Sequence, residues 1–313
     1  MRSERNYTVE EEFSDTRFDR WIGHFFSKIS HNNLEKLLRK GIIRVNGDKV
    51  KSNFRLNEGD IINVPLSLDG LATDSAAEDL IPGSEEFIKK ITIYKNNEVL
   101  ILNKPFGLAV QGGTGIERHI DGYLRSAFFD SGLTPRLVHR LDKETSGLLV
   151  VALTRKSAVY LANLFQKRKV NKTYWAITDG YPRHNDGEID HDVSVGDKKN
   201  QLNSLTKYSK ILSLTDNLSW LAFRPVTGRT HQIRQHASIS GFPIVGDNKY
   251  GTHSKESLLF KKLHLHSQSV DFMGVNGDIL KFEAPLPKHM VETWSKYDLP
   301  LNPGSKFFQS KVQ

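Results

Sequence analysis

Two short stretches near the start of the chain carry apolar residues every three or four positions, the spacing of one helix face. The first holds Phe18, Ile22, Phe25 and Ile29, and the second holds Leu34, Leu37 and Leu38. Gly41 follows the second stretch, where a glycine is suited to end a helix. Residues 42–45 then have the composition of a strand, and Asn46-Gly47 favours a tight turn. The pattern predicts two short helices followed by hairpins.

Beyond residue 88 the apolar runs are short and helical patterns are few. Strands are expected at residues 91–94, 99–102 and 148–153, and a helix at residues 157–167. Residues 172–177 alternate between two kinds of side chain, which predicts a strand with two distinct faces. Because helices are too few for a doubly wound parallel sheet, we predict an α+β fold with a mixed, mainly antiparallel sheet.

Charge and composition divide the chain into regions. Residues 67–87 contain six acidic residues, with Gly and Pro and neither Lys nor Arg, which is typical of a linker that does not pack. We therefore predict a flexible N-terminus at residues 1–16, a small domain of helices and hairpins at 17–66, an acidic linker at 67–88, a larger domain at 89–300 and a loose tail at 301–313.

Composition excludes several classes of protein. Hydrophobic residues make up 38% and aromatic residues 10% of the 313 positions, so disorder throughout is excluded. No apolar stretch approaches the ~20 residues of a membrane helix. The first twenty residues have no apolar segment, so we expect no secretory signal. The chain contains no cysteine, which excludes disulfides and thiol chemistry and fits a reducing cytoplasm.

Basic residues outnumber acidic ones, and they concentrate in the small domain. The 44 Lys and Arg against 36 Asp and Glu give a formal charge of +8, which suits a polyanionic partner. Between residues 17 and 64 the basic residues are Arg17, Arg20, Lys28, Lys36, Arg39, Lys40, Arg44, Lys49, Lys51 and Arg55. Charge by itself does not choose between RNA, DNA and an anionic membrane as the partner, and a solvated helix face explains the same charges.

Sequence patterns for cofactors and metals are missing. No GxxxxGKS/T phosphate loop occurs, and the glycine-rich residues 112–115 lack the spacing of a dinucleotide site. His264 and His266 would share a strand face, but no third ligand accompanies them. We therefore predict that the protein uses neither a cofactor nor a metal.

A dense polar group precedes the most apolar strand of the chain. Asp142 closes this group, residues 139–142, and the apolar run 148–153 follows shortly after it. A carboxylate at the rim of a buried strand needs a nearby cation to stay ionised. Arg140 is close to Asp142 in the sequence, but the side chains of adjacent residues usually point in different directions. We therefore expect a second arginine from elsewhere in the sequence.

Residues 224–251 supply such an arginine. They are expected to form a strand, a tight Gly turn and a helix capped by Thr230. Arg234 then lies near the helix start with His231 and Gln235, where backbone N–H groups and the helix dipole favour an anion. A buried Asp–Arg pair that only joins two elements explains the same residues.

Residues 139–152, HRLDKETSGLLVVA, resemble the catalytic motif of the RluA-type RNA pseudouridine synthases. Four further segments resemble that family: NKPFGLAVQGG, KTYWAITDG, TGRTHQIRQHASISGFPIVGDNKYG and LHLHS. Residues 34–64 resemble the αL RNA-binding domain, and the whole chain is similar to the RluC subgroup, which modifies large-subunit ribosomal RNA. The resemblance implies a monomer that isomerises specific uridines, chiefly in 23S ribosomal RNA, without a cofactor.

The resemblance also assigns site residues. Asp142 takes the catalytic position, where it either attacks the sugar or removes a proton from it. Arg234 would pair with Asp142, Arg140 would occupy the space left by the flipped base, and Tyr174 would lie against the uracil. The αL resemblance assigns RNA contacts to Lys36, Arg39, Lys40 and Arg44, to which we add Arg20 from the preceding helix.

Two other functions fit parts of the sequence. A non-catalytic ribosome-assembly factor would use the same basic domain, but it has no need of Asp142. A hydrolytic glycosidase needs a second carboxylate with a paired role, and none is evident. We therefore predict an RNA-modifying isomerase in the cytoplasm.

Overall fold

The computed structural model of the chain describes residues 4–26, 29, 31–66, 80–113, 116–194, 201–251, 254–255 and 257–301. The chain divides into two compact units, Met1–Leu80 and Ile81–Gln313. Much of the predicted linker, residues 67–79, and residues 302–313 of the predicted tail lie outside the described residues. No helix in the described ranges is long and apolar enough to cross a bilayer.

The first unit combines two helices with a small antiparallel sheet. Its elements are β1 (Glu4–Thr8), α1 (Phe18–Phe25), α2 (His31–Lys40), β2 (Arg44–Val45) and β3 (Ile61–Pro65). Over the residues described here, the sheet has the order β1-β3-β2. Trp21 and Leu38, from the apolar faces of the helices, are buried in one core with Ile62 of β3. The two predicted helices are confirmed.

The turns of this unit follow the sequence signals closely. Gly41 comes directly after α2 and has a φ of 66°. Asn46 and Gly47 also have positive φ values, 51° and 82°, which suits a tight turn in a hairpin. The strand expected at residues 42–45 is limited to Arg44–Val45, because the chain is still leaving the helix at the preceding residues.

The prediction of a flexible N-terminus is wrong for residues 4–9. β1 pairs along β3 with Tyr7 opposite Ile62, and Val9 is buried in the core. Tyr7 also meets Trp21 edge-on, with 5.7 Å between the ring centroids. Most β1 side chains face solvent, so no alternation of apolar and polar positions marks this strand in the sequence.

The second unit contains the larger sheet and the remaining helices of the described residues. Its elements are α3 (Ser84–Ile91), β4 (Thr92–Lys95), β5 (Val99–Lys104), α4 (Ile120–Ala127), β6 (Arg136–Leu137), β7 (Ser146–Ala152), α5 (Arg155–Gln166), β8 (Asn171–Asp179), β9 (Asp186–Asp190), β10 (Val193–Ser194), β11 (Gln201–Leu202), β12 (Leu205–Ser213), β13 (Leu218–Pro225), α6 (Gln232–Ile239), β14 (Leu265–Met273), β15 (Ile279–Glu283) and α7 (Lys288–Lys296).

The linker prediction is wrong at its C-terminal end, where α3 forms. Glu85 and Glu86 lie in the first turn of α3, and Lys89 and Lys90 lie in its last turn, an order of charges that complements the helix dipole. Ile88 is buried against the rest of the second unit. Two of the acidic residues that indicate a linker, Glu85 and Glu86, therefore stabilise the start of a helix.

The predicted mixed, mainly antiparallel sheet is confirmed. Ten strands of the described chain form it, in the order β4-β5-β7-β14-β8-β13-β12-β9, with β15 paired to β14 and β6 paired to β7. The β7–β14 pair is parallel, and the other ladders of this sheet are antiparallel. The motif-bearing strands β7, β8 and β14 thus lie at its centre.

Strand β7 is buried on both faces, which explains why it is apolar throughout. Leu149 and Val151 face a core with α3, α4 and α6, while Leu148 and Val150 face a second core with α5. This alternation places successive side chains on opposite faces of the sheet. Because β7 is packed on both faces, the strand that follows the Asp142 loop is held rigidly.

Candidate active site

A cleft of about 550 Å³ brings together the segments singled out in the sequence. Asp142 and Arg140 reach it from the loop before β7, Tyr174 from β8 and Arg234 from α6. The structure therefore places the four predicted active-site residues around one cavity, although they are up to 94 positions apart in the chain, as between Arg140 and Arg234. Their chemical roles stay predictions.

The Asp142 carboxylate is partly shielded from solvent. Its side chain is 20% exposed, and one oxygen, Oδ1, lies 3.8 Å from Nε2 of His231. On its other side, the His231 ring hydrogen-bonds through Nδ1 with the Tyr250 hydroxyl at 3.1 Å. Burial lowers the pKa of His231, and the nearby Asp142 charge opposes that shift. A neutral imidazole therefore faces the carboxylate near neutral pH.

Lys104 holds the backbone of the loop that carries Asp142. Its side chain is fully buried, and Nζ donates hydrogen bonds to the carbonyl oxygens of Pro105, Leu108 and Lys143 at 3.0, 2.8 and 3.2 Å. Burial lowers the pKa of Lys104 to about 7, while the charge of Asp142 acts in the opposite direction. With no exposed surface, Lys104 is a structural residue and not a phosphate contact.

Arg234 does not form the direct pair with Asp142 that the sequence predicts. Its guanidinium donates two hydrogen bonds to Asp247, from Nε at 2.7 Å and from Nη2 at 2.6 Å. Nη2 also reaches Glu144 at 3.4 Å. Among the described residues, Asp142 acts on Arg234 only as a nearby charge. The physical reason is competition: Asp247 is the more deeply buried carboxylate and takes the bidentate position.

The Arg234–Asp247 pair keeps both groups ionised. Burial by itself would lower the pKa of Arg234, but hydrogen bonding to Asp247 and its charge outweigh burial and raise that pKa. Burial would raise the pKa of Asp247, but the bonds from Arg234 and from the backbone of Lys249 and Tyr250 lower it. A fixed positive charge therefore lies close to Asp142 over the ordinary pH range.

The start of α6 differs from its prediction. Thr230 does not cap the helix; His231 is the N-cap residue, with a φ of 54° and no side-chain capping bond. The Gln232 side chain instead accepts hydrogen bonds from the backbone N–H of Arg229 at 3.0 Å and from the hydroxyl of Thr227 at 2.6 Å. With His231 as the N-cap residue, its Nε2 lies 3.8 Å from Oδ1 of Asp142.

Tyr174 and His139 are held as neutral groups in the cleft wall. Tyr174 is 8% exposed. Burial raises the pKa of its phenol to about 12, although a hydrogen bond with Ser267 acts to lower that pKa. The His139 ring stacks on Phe165 at 4.4 Å, accepts a hydrogen bond from the backbone N–H of Val150, and has its pKa lowered to about 3 by burial. Arg140, next in the chain, is left exposed at the mouth.

The lining is strongly cationic around a single acid. Asp142 is the carboxylate among the described lining residues, and the cations are Arg140, Arg168, Lys172, Arg229 and Arg234. Arg168, Lys172 and Arg229 are absent from the sequence predictions, and so is Asp247 as the partner of Arg234. His231 is expected near the start of the helix, but its position 3.8 Å from Asp142 is not predicted. Their positions in the sequence carry no periodic signal, because the contacts depend on how separate elements meet.

The family described as RNA pseudouridylate synthase matches residues 98–238. Over 294 residues the chain is 36% identical to "Ribosomal large subunit pseudouridine synthase C" of Rickettsia conorii, covering 87% of this chain and 94% of that protein. The protein of the same name from Vibrio cholerae is 30% identical over 304 residues, covering 92% and 95%. The chain belongs to the RNA pseudouridine synthase family.

A solved structure agrees with this assignment. "Human RNA Pseudouridylate Synthase Domain Containing 4" superimposes with a TM-score of 0.60 at 26% identity, over 70% of this chain and 98% of that one. The resemblance to the RluA-type, RluC-like synthases is confirmed, and so is the predicted activity, isomerisation of uridine in RNA. Family membership favours an enzyme over the non-catalytic assembly factor.

The cleft of this pseudouridine synthase suits the chemistry of the family. Isomerisation breaks the bond from ribose C1′ to uracil N1 and forms a bond from C1′ to C5 of the same base, while C5 loses its proton and N1 gains one. Only an ionised carboxylate can attack the sugar or accept a proton from it, and Asp142 is next to the fixed charge of Arg234. The surrounding cations attract the phosphates of RNA.

Proposed function

We propose that this enzyme converts uridine to pseudouridine in large-subunit ribosomal RNA, of the 23S type, with Asp142 as its catalytic carboxylate. The observation that carries the proposal is the position of Asp142, the acid of a cationic cleft in which the other motif residues meet. Relatives named for the large ribosomal subunit support the choice of RNA. The proposed cell compartment is the cytoplasm, and the proposed state is a monomer.

The other cleft residues take roles that follow from their chemistry. Arg140 is exposed at the mouth, where its planar guanidinium can fill the stack left by a flipped base. The Tyr174 ring offers a flat, buried surface to the uracil. Arg234, held by Asp247, supplies a fixed positive charge close to Asp142.

The Asp142→Asn variant tests the proposal directly. We expect no detectable pseudouridine in a ribosomal RNA transcript incubated with this variant, because a neutral amide neither attacks C1′ nor accepts a proton. RNA affinity should stay within about twofold of the wild type, because the substitution adds no repulsion. Asp130→Asn, an exposed residue of the same unit, is the matched control. Turnover by Asp142→Asn would refute the assignment.

The choice of ribosomal RNA needs a separate measurement. Pseudouridine positions should be mapped in total RNA from cells with and without the gene. The proposal requires that one or more positions in 23S ribosomal RNA lose pseudouridine and regain it on complementation with the wild type but not with Asp142→Asn. A loss confined to transfer RNA would overturn the proposed substrate while leaving the reaction intact.

The basic residues of the first unit are proposed to bind RNA outside the cleft. Lys36, Arg39 and Lys40 are exposed on α2, and Arg20 is exposed on α1. The Arg44 guanidinium donates hydrogen bonds to the carbonyls of Gly41 and Gly47 at 2.9 and 3.1 Å, which fixes its position beside the turn.

Changing Lys36, Arg39 and Lys40 together to Gln should weaken RNA binding and reduce its salt dependence. If each contacts one phosphate, the slope of log affinity against log salt should fall by about 2–3. A control with Lys281, Lys288 and Lys296 changed to Gln removes the same charge from exposed positions of the second unit. Equal slopes for the two triple variants would show that the effect is one of net charge alone.

A further inference from the structure

Arg168 has a backbone conformation that usually calls for glycine. It is the second residue after α5, with a φ of 58°. Its N–H donates to the carbonyl of Phe165 at 3.2 Å, and the N–H of Lys169 donates to the carbonyl of Leu164 at 2.8 Å. These bonds close the end of the helix, and the left-handed residue in such a closure is commonly glycine because a side chain there is strained.

The side chain of Arg168 lines the same cleft as Asp142. It is exposed, and within the described part of the chain its guanidinium has no hydrogen bond or ion pair. Gln166 and Lys172 line the same cleft, and the Lys172 ammonium lies 5.8 Å from the centre of the ring of Phe165, whose carbonyl accepts the Arg168 N–H bond. This end of the cleft therefore presents two cations without an acidic partner among the lining residues described.

Stabilisation of the helix does not explain an arginine at this position. A cation near the end of a helix interacts favourably with the helix dipole, but Lys167 and Lys169 already provide that charge from exposed positions. Packing does not explain it either, since Arg168 is exposed. Asp298 occupies the corresponding position after α7, with a φ of 51° and the same two closing bonds, and short polar residues tolerate that conformation.

We propose that Arg168 binds a backbone phosphate of the RNA strand next to the target uridine, with Lys172 beside it. A nucleotide that enters the cleft leaves its flanking phosphates at the mouth, where Arg168 is exposed. The planar guanidinium of arginine matches two phosphate oxygens, and an unpartnered guanidinium can make these bonds without breaking others. The inference rests on the proposed function of the cleft.

The test uses a substitution that removes the Arg168 side chain and also removes the strain of its left-handed backbone conformation. Arg168→Gly should unfold in urea at the wild-type concentration or a higher one, because glycine adopts the left-handed conformation without strain. With a large-subunit ribosomal RNA transcript as substrate, its KM should rise roughly tenfold, with a smaller change in kcat. The slope of its log RNA affinity against log salt concentration, the salt slope, should fall by about 0.7–0.9, as expected for the loss of one phosphate contact. Arg168→Lys should recover part of the affinity.

Two control variants separate the phosphate contact from general effects. Asp298→Gly makes the same backbone change at the end of α7, outside the cleft lining, and should leave KM unchanged. Lys169→Gln removes the same charge one residue away, also outside the lining, and should change the salt slope less than Arg168→Gly does. Arg168→Asn, which also tolerates this backbone conformation, repeats the measurement independently of glycine.

The outcomes distinguish this inference from the proposed function. If Arg168→Gly and Arg168→Asn keep the wild-type KM and salt slope while Asp142→Asn is inactive, the Arg168 inference is overturned and the cleft assignment stands. An effect of Lys169→Gln as large as that of Arg168→Gly also overturns it. If Asp142→Asn retains turnover, the cleft assignment fails, whatever Arg168 does.

Discussion

The Arg234–Asp247 pair shows how a single contact controls the charge around Asp142. The side chain of Arg234 is 4% exposed and that of Asp247 is 1% exposed. Asp247 accepts two bonds from Arg234 and two more from the backbone N–H groups of Lys249 and Tyr250, at 2.9 and 3.0 Å. Both of its oxygens therefore accept hydrogen bonds, three at Oδ1 and one at Oδ2, and such bonds reduce the penalty of burying an ion pair.

Removing the negative charge of Asp247 should destabilise the folded protein. We expect Asp247→Asn to lower the free energy of unfolding by about 3–5 kcal/mol, because the Arg234 charge would stay buried without its partner. Glu144→Gln is the matched control: its side chain is 35% exposed and reaches the same guanidinium at 3.4 Å, so its loss should be under about 1 kcal/mol. Urea unfolding measures both, and equal losses would contradict the assigned pairing.

At the scale of elements, the parallel pairing of β7 with β14 depends on Gly147. This residue lies opposite Ser267 in the ladder and has a φ of 107°. A Cβ atom at Gly147 would overlap the backbone of Ser267. The close approach brings the start of β7, directly after the Asp142 loop, against the strand that carries His266.

The Gly147→Ala variant should therefore be strongly destabilised. The Cβ atom would force apart two buried backbones, and we expect a loss above about 4 kcal/mol in the free energy of unfolding. Gly132→Ala is the control, because Gly132 also has a positive φ, 68°, but no atom lies within 4 Å of the added Cβ. It should lose only about 1–2 kcal/mol from backbone strain. Similar urea midpoints for the two variants would argue against a close approach.

For the whole molecule, buried neutral histidines link stability to pH. His264 is 3% exposed and His266 is fully buried. Burial lowers the pKa of His264 to about 3 and that of His266 to about 4. His266 donates from Nε2 to the carbonyl of Ala284, so its Nδ1 accepts from the hydroxyl of Ser146. Protonation would place a charge in this buried site and remove that acceptor.

Acid should destabilise the protein in a defined pH window. Above pH ~6.5 both histidines are neutral whether the chain is folded or unfolded. As the pH falls from 6.5 toward 4, the unfolded chain binds protons that the folded chain does not, so stability is lost. The urea midpoint should fall over this range, and less steeply in His266→Gln than in His184→Gln, an exposed control. Parallel profiles for both variants would contradict burial of a neutral His266.

Local patterns in the sequence were enough to predict many of the elements and the general fold. The helices α2 and α5 were predictable because their apolar residues recur at the helical period, and the strands β5 and β7 because each is a short apolar run buried on both faces. β1 and α3 were not, because one is mostly exposed and the other begins with acidic residues.

The same distinction applies to the site: its motif residues could be predicted from the sequence, but their contacts could not. The motifs by themselves indicated Asp142, Arg140, Tyr174 and Arg234, since each belongs to a segment that is recognisable on its own. Only the tertiary structure decided that Arg234 pairs with Asp247, that His231 faces Asp142 and that Arg168 lines the cleft. The reason is physical: a local pattern determines which face of an element is buried, whereas a charged group binds the best-placed partner that folding brings to it.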